Sequence, residues 1–260
     1  MPDRDVTKQR SEIAHVLFID IVGYSKLLTN EQKAQIETLK NIVRGTEQYQ
    51  RAKAEEKLLS LPTGDGGALV FRNDHEAPVL CAMEITRELQ KPPGSKEKPQ
   101  LRLRMGIHSG PVHHVADVNQ RDNIAGAGIN IAQRVMDCGD AGHILVSRRV
   151  ADDLVQYRRW QPYLHELGDF EVKHGVVVSV VNLYADVVGN PNPPERLKGS
   201  KRISQRTVRS ERSKRSPVLI AAVVVGLMLF TLAALAIVFA PAILKQMRSA
   251  KTEPAPVPAA

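Results

Sequence analysis

An uncharged apolar run near the C-terminus constrains this chain more than any other feature. The 23 residues from Val218 to Ala240 contain no Asp, Glu, Lys or Arg. A helix of this length measures about 34 Å, which is enough to cross the hydrocarbon core of a bilayer. A buried core helix is the alternative, but this run is apolar on every face and a small domain could not cover it. The sequence therefore predicts a single transmembrane helix over residues 217–244.

Basic residues are distributed unequally on the two sides of this run. Eight Lys or Arg residues lie between Lys198 and Ser216, against three after Leu244. The positive-inside rule then places the residues before the span in the cytoplasm and the span in the inner (plasma) membrane. The basic stretch has no interleaved aromatic residues, which favours contact with anionic lipid headgroups over nucleic acid. We therefore expect a membrane partner and no nucleic-acid partner.

The part of the chain before the basic stretch has the composition of an ordinary folded domain. Residues 1–197 carry 25 basic and 26 acidic residues, so the overall net charge of +8 does not describe them. The first residues lack the apolar core of a signal peptide, and the two cysteines form no metal-binding motif, as expected in a reducing compartment. We expect a polar tail at 1–12, a folded domain at 13–186, a Pro/Gly and then basic linker at 187–216, and a disordered tail at 245–260.

Apolar periodicity predicts that strands and helices alternate in the folded domain. Strands are expected at 14–19, at 101–115 with a break at Gly110-Pro111, and at 143–147, and hairpins at 58–71 and 164–184. Helices are expected from residue 30, at 74–91 and at 122–138. Because hairpins accompany the alternation, we expect an α/β (α+β) fold in which a mixed sheet carries helices on one face.

Two aspartates stand where strands end in glycine-containing turns. Asp20 follows a buried apolar strand, and Asp65 lies at the tip of the first hairpin with glycines on both sides. A single Asp in a turn is as often a turn former as a functional residue. Two such carboxylates at adjacent strand ends could hold a hard cation such as Mg²⁺, with phosphate oxygens as further ligands.

The predicted helix at 122–138 carries a second group of polar residues. Asn123, Asn130 and Arg134 are spaced by seven and four residues, which places all three on nearly the same helix face. The spacing alone fits a solvated polar face equally well. Gly126 and Gly128 lower the stability of such a helix and bring it no evident structural benefit.

Five ordered motifs resemble the catalytic domain of the class III nucleotidyl cyclases (adenylate/guanylate cyclases), of the membrane-anchored bacterial type. They are VLFIDIVGYS, LPTGDGGALVF, LRMGIHSGPV, NIAGAGINIAQRV followed by AGHILVS, and VKHG, and together they extend over residues 13–186. The resemblance implies a ferredoxin-like core, here followed by one transmembrane helix, and a head-to-tail homodimer with active sites at its interface. It also implies conversion of a nucleoside triphosphate to a 3′,5′-cyclic nucleotide and pyrophosphate with two Mg²⁺ or Mn²⁺ ions.

The resemblance assigns a role to most of the singled-out positions. Asp20 and Asp65 match the two metal-binding aspartates. Asn130 matches the asparagine that orients the ribose, and Arg134 matches the arginine that stabilises the transition state. The positions that match phosphate-binding groups are Ile21, Val22, Gly23 and Tyr24 through their amides, and Arg104 and Lys173 through their side chains.

The sequence departs from the family pattern at the two positions that read the base. Leu61 and Asn123 stand where adenylate cyclases have a lysine and an aspartate, and the pair does not match guanylate cyclases either. Leu61 cannot donate a hydrogen bond, whereas Asn123 can both donate and accept. We expect ATP as substrate, because cyclases that use ATP dominate the family. GTP or a pyrimidine triphosphate, and a degenerate nucleotide-binding or dimerisation module, remain as alternatives.

Overall fold

The computed structural model describes residues 11–91, 101–116, 122–172, 175–198 and 202–203, with backbone only at 116, 122, 123, 202 and 203. Within this part the strands are β1 Ser11–Ile21, β2 Leu58–Thr63, β3 Gly66–Phe71, β4 Leu103–Ala116, β5 Asp122–Ala125, β6 Ile144–Ser147, β7 Leu164–Val172, β8 Val176–Leu183 and β9 Arg202–Ile203. The helices are α1 Thr29–Gly45, α2 Glu47–Ala54, α3 Ala77–Gln90, α4 Ala127–Asp137, α5 Arg148–Leu154 and α6 Glu195–Lys198.

All described strands belong to one mixed sheet. Its order is β2-β3-β1-β4-β6-β8-β7-β9, with β5 paired to β4. The pairing of β4 with β6 is parallel and the other pairings are antiparallel. The mixed α/β sheet and both predicted hairpins are thereby confirmed. The long strand β1 lies near the centre of the sheet and pairs with both β3 and β4.

Helices cover both faces of the sheet, so the expectation that they lie on one face is wrong. Leu17, Ile19 and Ile21 of β1 face a large apolar cluster that includes side chains of α1, α2, α3 and α5. Alternate residues of the same strand, such as Val16 and Phe18, face a second cluster that contains residues of α4. A strand that is buried on both faces has a continuous run of apolar residues in its sequence. The sequence of β1 shows this pattern.

Glycines allow α4 to lie directly on β4. A Cβ added to Gly106 would lie 2.3 Å from the backbone nitrogen of Met136, and one added to Gly110 would lie 2.9 Å from the Cα of Gly128. Such contacts are impossible for any larger residue. The interpretation that Gly128 brings no structural benefit is therefore wrong, because its missing side chain is what lets the helix approach the strand.

The segment predicted as the start of the third helix is a strand. Residues 122–125 form β5, in which the backbone of Asn123 pairs with that of Val115, and α4 begins only at Ala127. Gly126 between them has a φ of 145°, a conformation that L-residues with a side chain rarely adopt. Asn123 therefore does not share a helix face with Asn130 and Arg134. The predicted strand break is also absent, because β4 continues through Gly110 and Pro111.

Part of the predicted linker packs onto the domain. The Nδ2 of Asn190 donates to the carbonyl of Ala141 at 3.1 Å, and the carbonyl of Asn190 accepts from the Nδ2 of Asn182 at 2.8 Å. Val188 and Leu197 are buried. These residues therefore belong to the folded domain. At the other end, β1 begins at Ser11, inside the stretch predicted as a polar tail.

The remaining predictions about the termini concern residues outside the described part. These are the span at 217–244, the basic stretch beyond Ile203 and the tail at 245–260. No helix of the described residues is long and apolar enough to cross a membrane.

Candidate active site

Asp20 lies near the end of the central strand, on the sheet face that carries α4. It pairs with Gly66 of β3 on one side and with Arg104 of β4 on the other. The side chain is almost fully buried, with 7% of the residue exposed. Because successive residues of a strand point to opposite faces, Asp20 shares its face with Val16 and Phe18.

Asp65 is brought to Asp20 by the turn between β2 and β3. The carbonyl of Asp65 accepts a hydrogen bond of 3.0 Å from the backbone nitrogen of Ile21. The turn lies so close to β1 that a Cβ on Gly66 would be 2.1 Å from the carbonyl oxygen of Ile19. The glycine after Asp65 is thus required for the approach. The two aspartates predicted as metal ligands are neighbours in the structure.

Burial and like charge act together on the pKa of Asp20. Burial raises the pKa of Asp20, and the Asp65 carboxylate raises it further, while Arg104 opposes both. A divalent cation between the carboxylates would relieve the repulsion and favour the charged form of Asp20. Their oxygens are the ligand type that Mg²⁺ and Mn²⁺ prefer. The donor set therefore fits a divalent cation.

Two carboxylates do not complete the coordination of such an ion. Within the described residues no group of three or more His, Cys, Asp or Glu side chains could hold a metal. Mg²⁺ is usually held by one or two carboxylates, with waters and substrate phosphates as the other ligands. The pair thus fits a cation that is bound together with a phosphate-containing substrate.

Arg104 contacts the aspartate pair and α4 at the same time. Its Nε donates to Oδ2 of Asp20 at 2.7 Å, and its Nη2 lies 3.2 Å from Oδ1 of Asp137, the last residue of α4. The Nη1 atom is buried and has no hydrogen-bond partner among the described residues. A free donor on a buried guanidinium matches the predicted contact with a phosphate oxygen.

The predicted phosphate-binding amides are only partly available. The backbone nitrogen of Ile21 donates to Asp65, and that of Val22 donates to the carbonyl of Arg102 at 2.8 Å. Both amides extend the strand pairing and cannot also bind phosphate in this conformation. Gly23, with a φ of 85°, turns the chain into a short 3-10 helix at Tyr24–Lys26. The amides of Gly23 and Tyr24 have no backbone acceptor within the described part of the chain.

Asn130 and Arg134 lie on the outer side of α4. Asn130 is exposed and Arg134 is half-buried. Neither side chain has a hydrogen-bond or ion-pair partner among the described residues. Asn130 is seven residues from Asp137, which corresponds to about 10 Å along the helix axis. The side chain predicted to hold the ribose is thus separated along α4 from the contact with Arg104.

Of the two positions predicted to read the base, Leu61 packs against the apolar cluster on the α4 face of the sheet. Leu61 of β2 packs against buried residues that include Phe18, Ala68 and Ile124. Ile124 directly follows Asn123, whose backbone alone is described. Leu61 therefore presents an apolar wall on the sheet face that carries Asp20. Lys173, the remaining predicted phosphate ligand, lies outside the described residues.

Asp137 is the residue that sequence reasoning did not single out. It lies seven residues after Asn130 and three after Arg134, so helical spacing places it on the same stripe of α4. That spacing could have suggested it. Its contact with Arg104, 33 positions away in the sequence, could not have been read from the pattern.

A sequence profile described as the adenylate and guanylate cyclase catalytic domain matches residues 6–184 of the chain. This match covers more than half of the sequence. The chain belongs to the adenylate and guanylate cyclase catalytic domain family. The resemblance to class III cyclases is confirmed, and the folded part is a nucleotidyl cyclase catalytic domain.

Solved cyclase structures share the fold. The guanylate cyclase domain of RhGC from Catenaria anguillulae, in complex with GTP, is 20% identical with a TM-score of 0.53, over 68% of this chain and 98% of that domain. An adenylate/guanylate cyclase/hydrolase from Silicibacter pomeroyi is 24% identical with a TM-score of 0.52, over 68% and 99% of the two chains.

The adenylyl cyclase CyaB from P. aeruginosa is 19% identical with a TM-score of 0.53, over 69% of this cyclase chain and 97% of that one. At these identities the likeness concerns the fold alone. A comparison with curated proteins gave no match. The similar structures include both adenylyl and guanylyl cyclases, so they do not decide which base this cyclase domain accepts.

Proposed function

We propose that this protein converts ATP to 3′,5′-cyclic AMP and pyrophosphate for intracellular signalling, at active sites shared by two copies of the chain. The observation that carries the proposal is the pairing of the buried Asp20 with the exposed Asp65 beside it, with Arg104 bound to Asp20. Carboxylates for divalent cations and a guanidinium for phosphate are the groups that this reaction needs. Family membership supplies the reaction class.

The residues of the candidate site can each support a part of the reaction. Two Mg²⁺ or Mn²⁺ ions on Asp20 and Asp65 would favour the ribose 3′-alkoxide and neutralise phosphate charge. Arg104, through its free Nη1, holds a phosphate oxygen. Arg134, which has no partner among the described residues, is available for the charge that develops at the α-phosphorus. Asn130 orients the ribose by hydrogen bonds.

A shared site is supported by the arrangement of α4. Asn130 and Arg134 face outward, and Asn130 is about 10 Å along the helix from the turn that contacts Arg104. We therefore propose a homodimer in which α4 of one copy completes the site formed by Asp20 and Asp65 of the other.

ATP is the proposed substrate, with modest selectivity. Leu61 replaces a charged donor to the base, and such a hydrogen bond contributes about 1.5 to 3 kcal/mol. Only Asn123 and backbone groups are left to read the base edge. We expect a preference for ATP over GTP of about tenfold, since each 1.4 kcal/mol corresponds to a factor of ten.

The apolar character of Leu61 favours a second candidate, a cyclase for GTP or a pyrimidine triphosphate. A wall without a donor does not select adenine. A degenerate binding or dimerisation module is less well supported, because Asp20, Asp65, Asn130 and Arg134 are all retained. The three possibilities differ in which nucleotide, if any, is converted.

Product identification tests the proposal directly. The purified full chain in detergent is incubated with ATP, GTP, CTP or UTP and Mn²⁺, and products are identified by mass spectrometry. We expect cyclic AMP as the main product from the wild type and none from Asp20→Asn, which keeps the shape of the side chain. Cyclic CMP or cyclic UMP without cyclic AMP would contradict the ATP proposal alone. A folded dimeric chain that cyclises no triphosphate would contradict the enzyme proposal.

We also propose that residues 217–244 anchor the enzyme in the inner membrane, with the catalytic domain in the cytoplasm and the basic linker against anionic lipid. The uncharged run and the excess of basic residues on its N-terminal side support this topology. Reporters fused at each end test it. A C-terminal reporter that is active on the cytoplasmic side would contradict a single span.

A further inference from the structure

The carboxylate of Asp137 borders the candidate site but has no part in the proposed mechanism. Its Oδ1 lies 3.2 Å from Nη2 of Arg104, whose Nε is bonded to Asp20. The arginine is thus shared between a predicted metal ligand and the end of α4. Its side chain is 12% exposed, against 35% for Asp137.

The position of Asp137 is not explained by the stability of α4. A carboxylate in the last turn of a helix faces the negative end of the helix dipole, which disfavours it. The ion pair with Arg104 offsets this effect. A residue that is unfavourable for its own element and pairs with a buried charge elsewhere is a candidate for a functional role.

Arg104 and a divalent cation compete for the same carboxylate. The Nε of Arg104 occupies Oδ2 of Asp20 at 2.7 Å, within the donor set that fits the metal. Two cations at one carboxylate repel each other strongly in a buried site. A metal bound at Asp20 therefore weakens the attraction between this carboxylate and Arg104, and a buried guanidinium without another anion would resist the loss.

We propose that Asp137 is a positioning residue that retains Arg104 when a divalent cation takes over Asp20. The guanidinium then shifts its charge-assisted contact toward Asp137 and stays at the edge of the site, where its free Nη1 faces no protein acceptor among the described residues. Asp137 acts on the metal through Arg104 and not as a ligand. This inference rests on the proposed function, because it takes Asp20 as a metal ligand.

Binding of Mn²⁺ without nucleotide tests the inference separately from catalysis. Free Mn²⁺ is measured by electron paramagnetic resonance in titrations of the full chain. Asp137→Asn should weaken Mn²⁺ binding by up to about fivefold, the order expected for one partly exposed ion pair. In the Arg104→Gln background the same substitution should change the affinity by less than about twofold, since the residue through which it acts is gone.

A matched control separates this effect from a general loss of negative charge. Asp152→Asn removes the same charge from α5, whose residues pack on the opposite face of the sheet, and should leave the affinity unchanged. Thermal denaturation confirms that each variant is folded. Weakening by Asp137→Asn that is equal in both backgrounds, or absent where Arg104 is present, would overturn the inference and leave the proposed function intact. A wild type that binds no Mn²⁺ without nucleotide would also overturn the inference, whereas the proposed function is contradicted only by a folded chain that cyclises no triphosphate.

Discussion

At the scale of single residues, the candidate site depends on a balance between two neighbouring carboxylates, the buried Asp20 and the exposed Asp65, and the largely buried guanidinium of Arg104. Burial and Asp65 raise the pKa of Asp20, and Arg104 counteracts them. The guanidinium of Arg104 contacts the carboxylates of Asp20 and Asp137, but its buried Nη1 has no hydrogen-bond partner within the described chain. A buried donor left without a partner costs stability in a purely structural cluster. It is expected where a metal and a phosphate complete the arrangement.

The base-reading positions give a prediction at the same scale. Leu61→Lys combined with Asn123→Asp installs the adenine-reading pair of the family, and should raise the ratio of ATP to GTP turnover by about tenfold or more, because a charged hydrogen bond to the base is gained. The ratio of kcat/KM for the two nucleotides measures this change. The single substitution Leu61→Met, which keeps an apolar wall, serves as the control and should leave the ratio nearly unchanged.

An unchanged ratio in the folded double variant would show that these two positions do not line the base pocket. That outcome would weaken the argument for ATP from the family pattern. It would not affect the assignment of Asp20 and Asp65.

At the scale of elements, the position of α4 on the sheet decides where its functional side chains point. The helix lies on Gly106 and Gly110 of β4, and this contact directs Ala132 and Met136 inward and Asn130 outward. A side chain at the contact would push the helix away from the strand. The position of α4, and with it the position of the Arg134 side chain, is therefore sensitive to the size of residues 106 and 110. Neither of these residues belongs to the candidate site.

Gly106→Ala tests this dependence. Its Cβ would lie 2.3 Å from Met136 N and 2.6 Å from Ala132 O, so α4 must shift. We expect a loss of about 1–3 kcal/mol in the free energy of unfolding and a lower kcat, measured by denaturant titration and turnover. Gly45→Ala is the control, because nothing lies within 4 Å of the added Cβ and the site is at a helix end. Equal stability of the two variants would contradict the packing argument.

The sequence predicts an element correctly where the residues that determine it lie within or next to that element. The apolar run before Asp20 and the glycines around Asp65 predicted β1 and the β2–β3 hairpin, because strand burial and tight turns are encoded nearby. The start of α4 was mispredicted because the positive φ of Gly126 ends a strand there, which helical spacing does not reveal. Spacing in the sequence does not predict which face of the sheet a helix covers, because that depends on long-range packing. The same holds for the contact between Arg104 and Asp137.

At the scale of the whole molecule, the fold places both groups of candidate site residues on one face of the sheet. Arg104 joins Asp20 to Asp137 at the end of α4, and Asn130 lies nearer the start of this helix. The family fold and the outward direction of Asn130 and Arg134 favour a dimer in which each active site draws on both chains. Loss of either half should then abolish the activity of a homodimer.

Complementation between two inactive variants tests this account most directly. Asp20→Asn removes a proposed metal ligand and Arg134→Ala removes the proposed transition-state contact, and each alone should lower cyclase activity by about a hundredfold or more. Random pairing of equal amounts forms mixed dimers with one intact site, so the mixture should regain about a quarter of wild-type activity in a symmetric dimer. The account predicts this recovery, measured as cyclic nucleotide formed after co-expression of the two chains. A demonstrated mixed dimer with no recovery would contradict it.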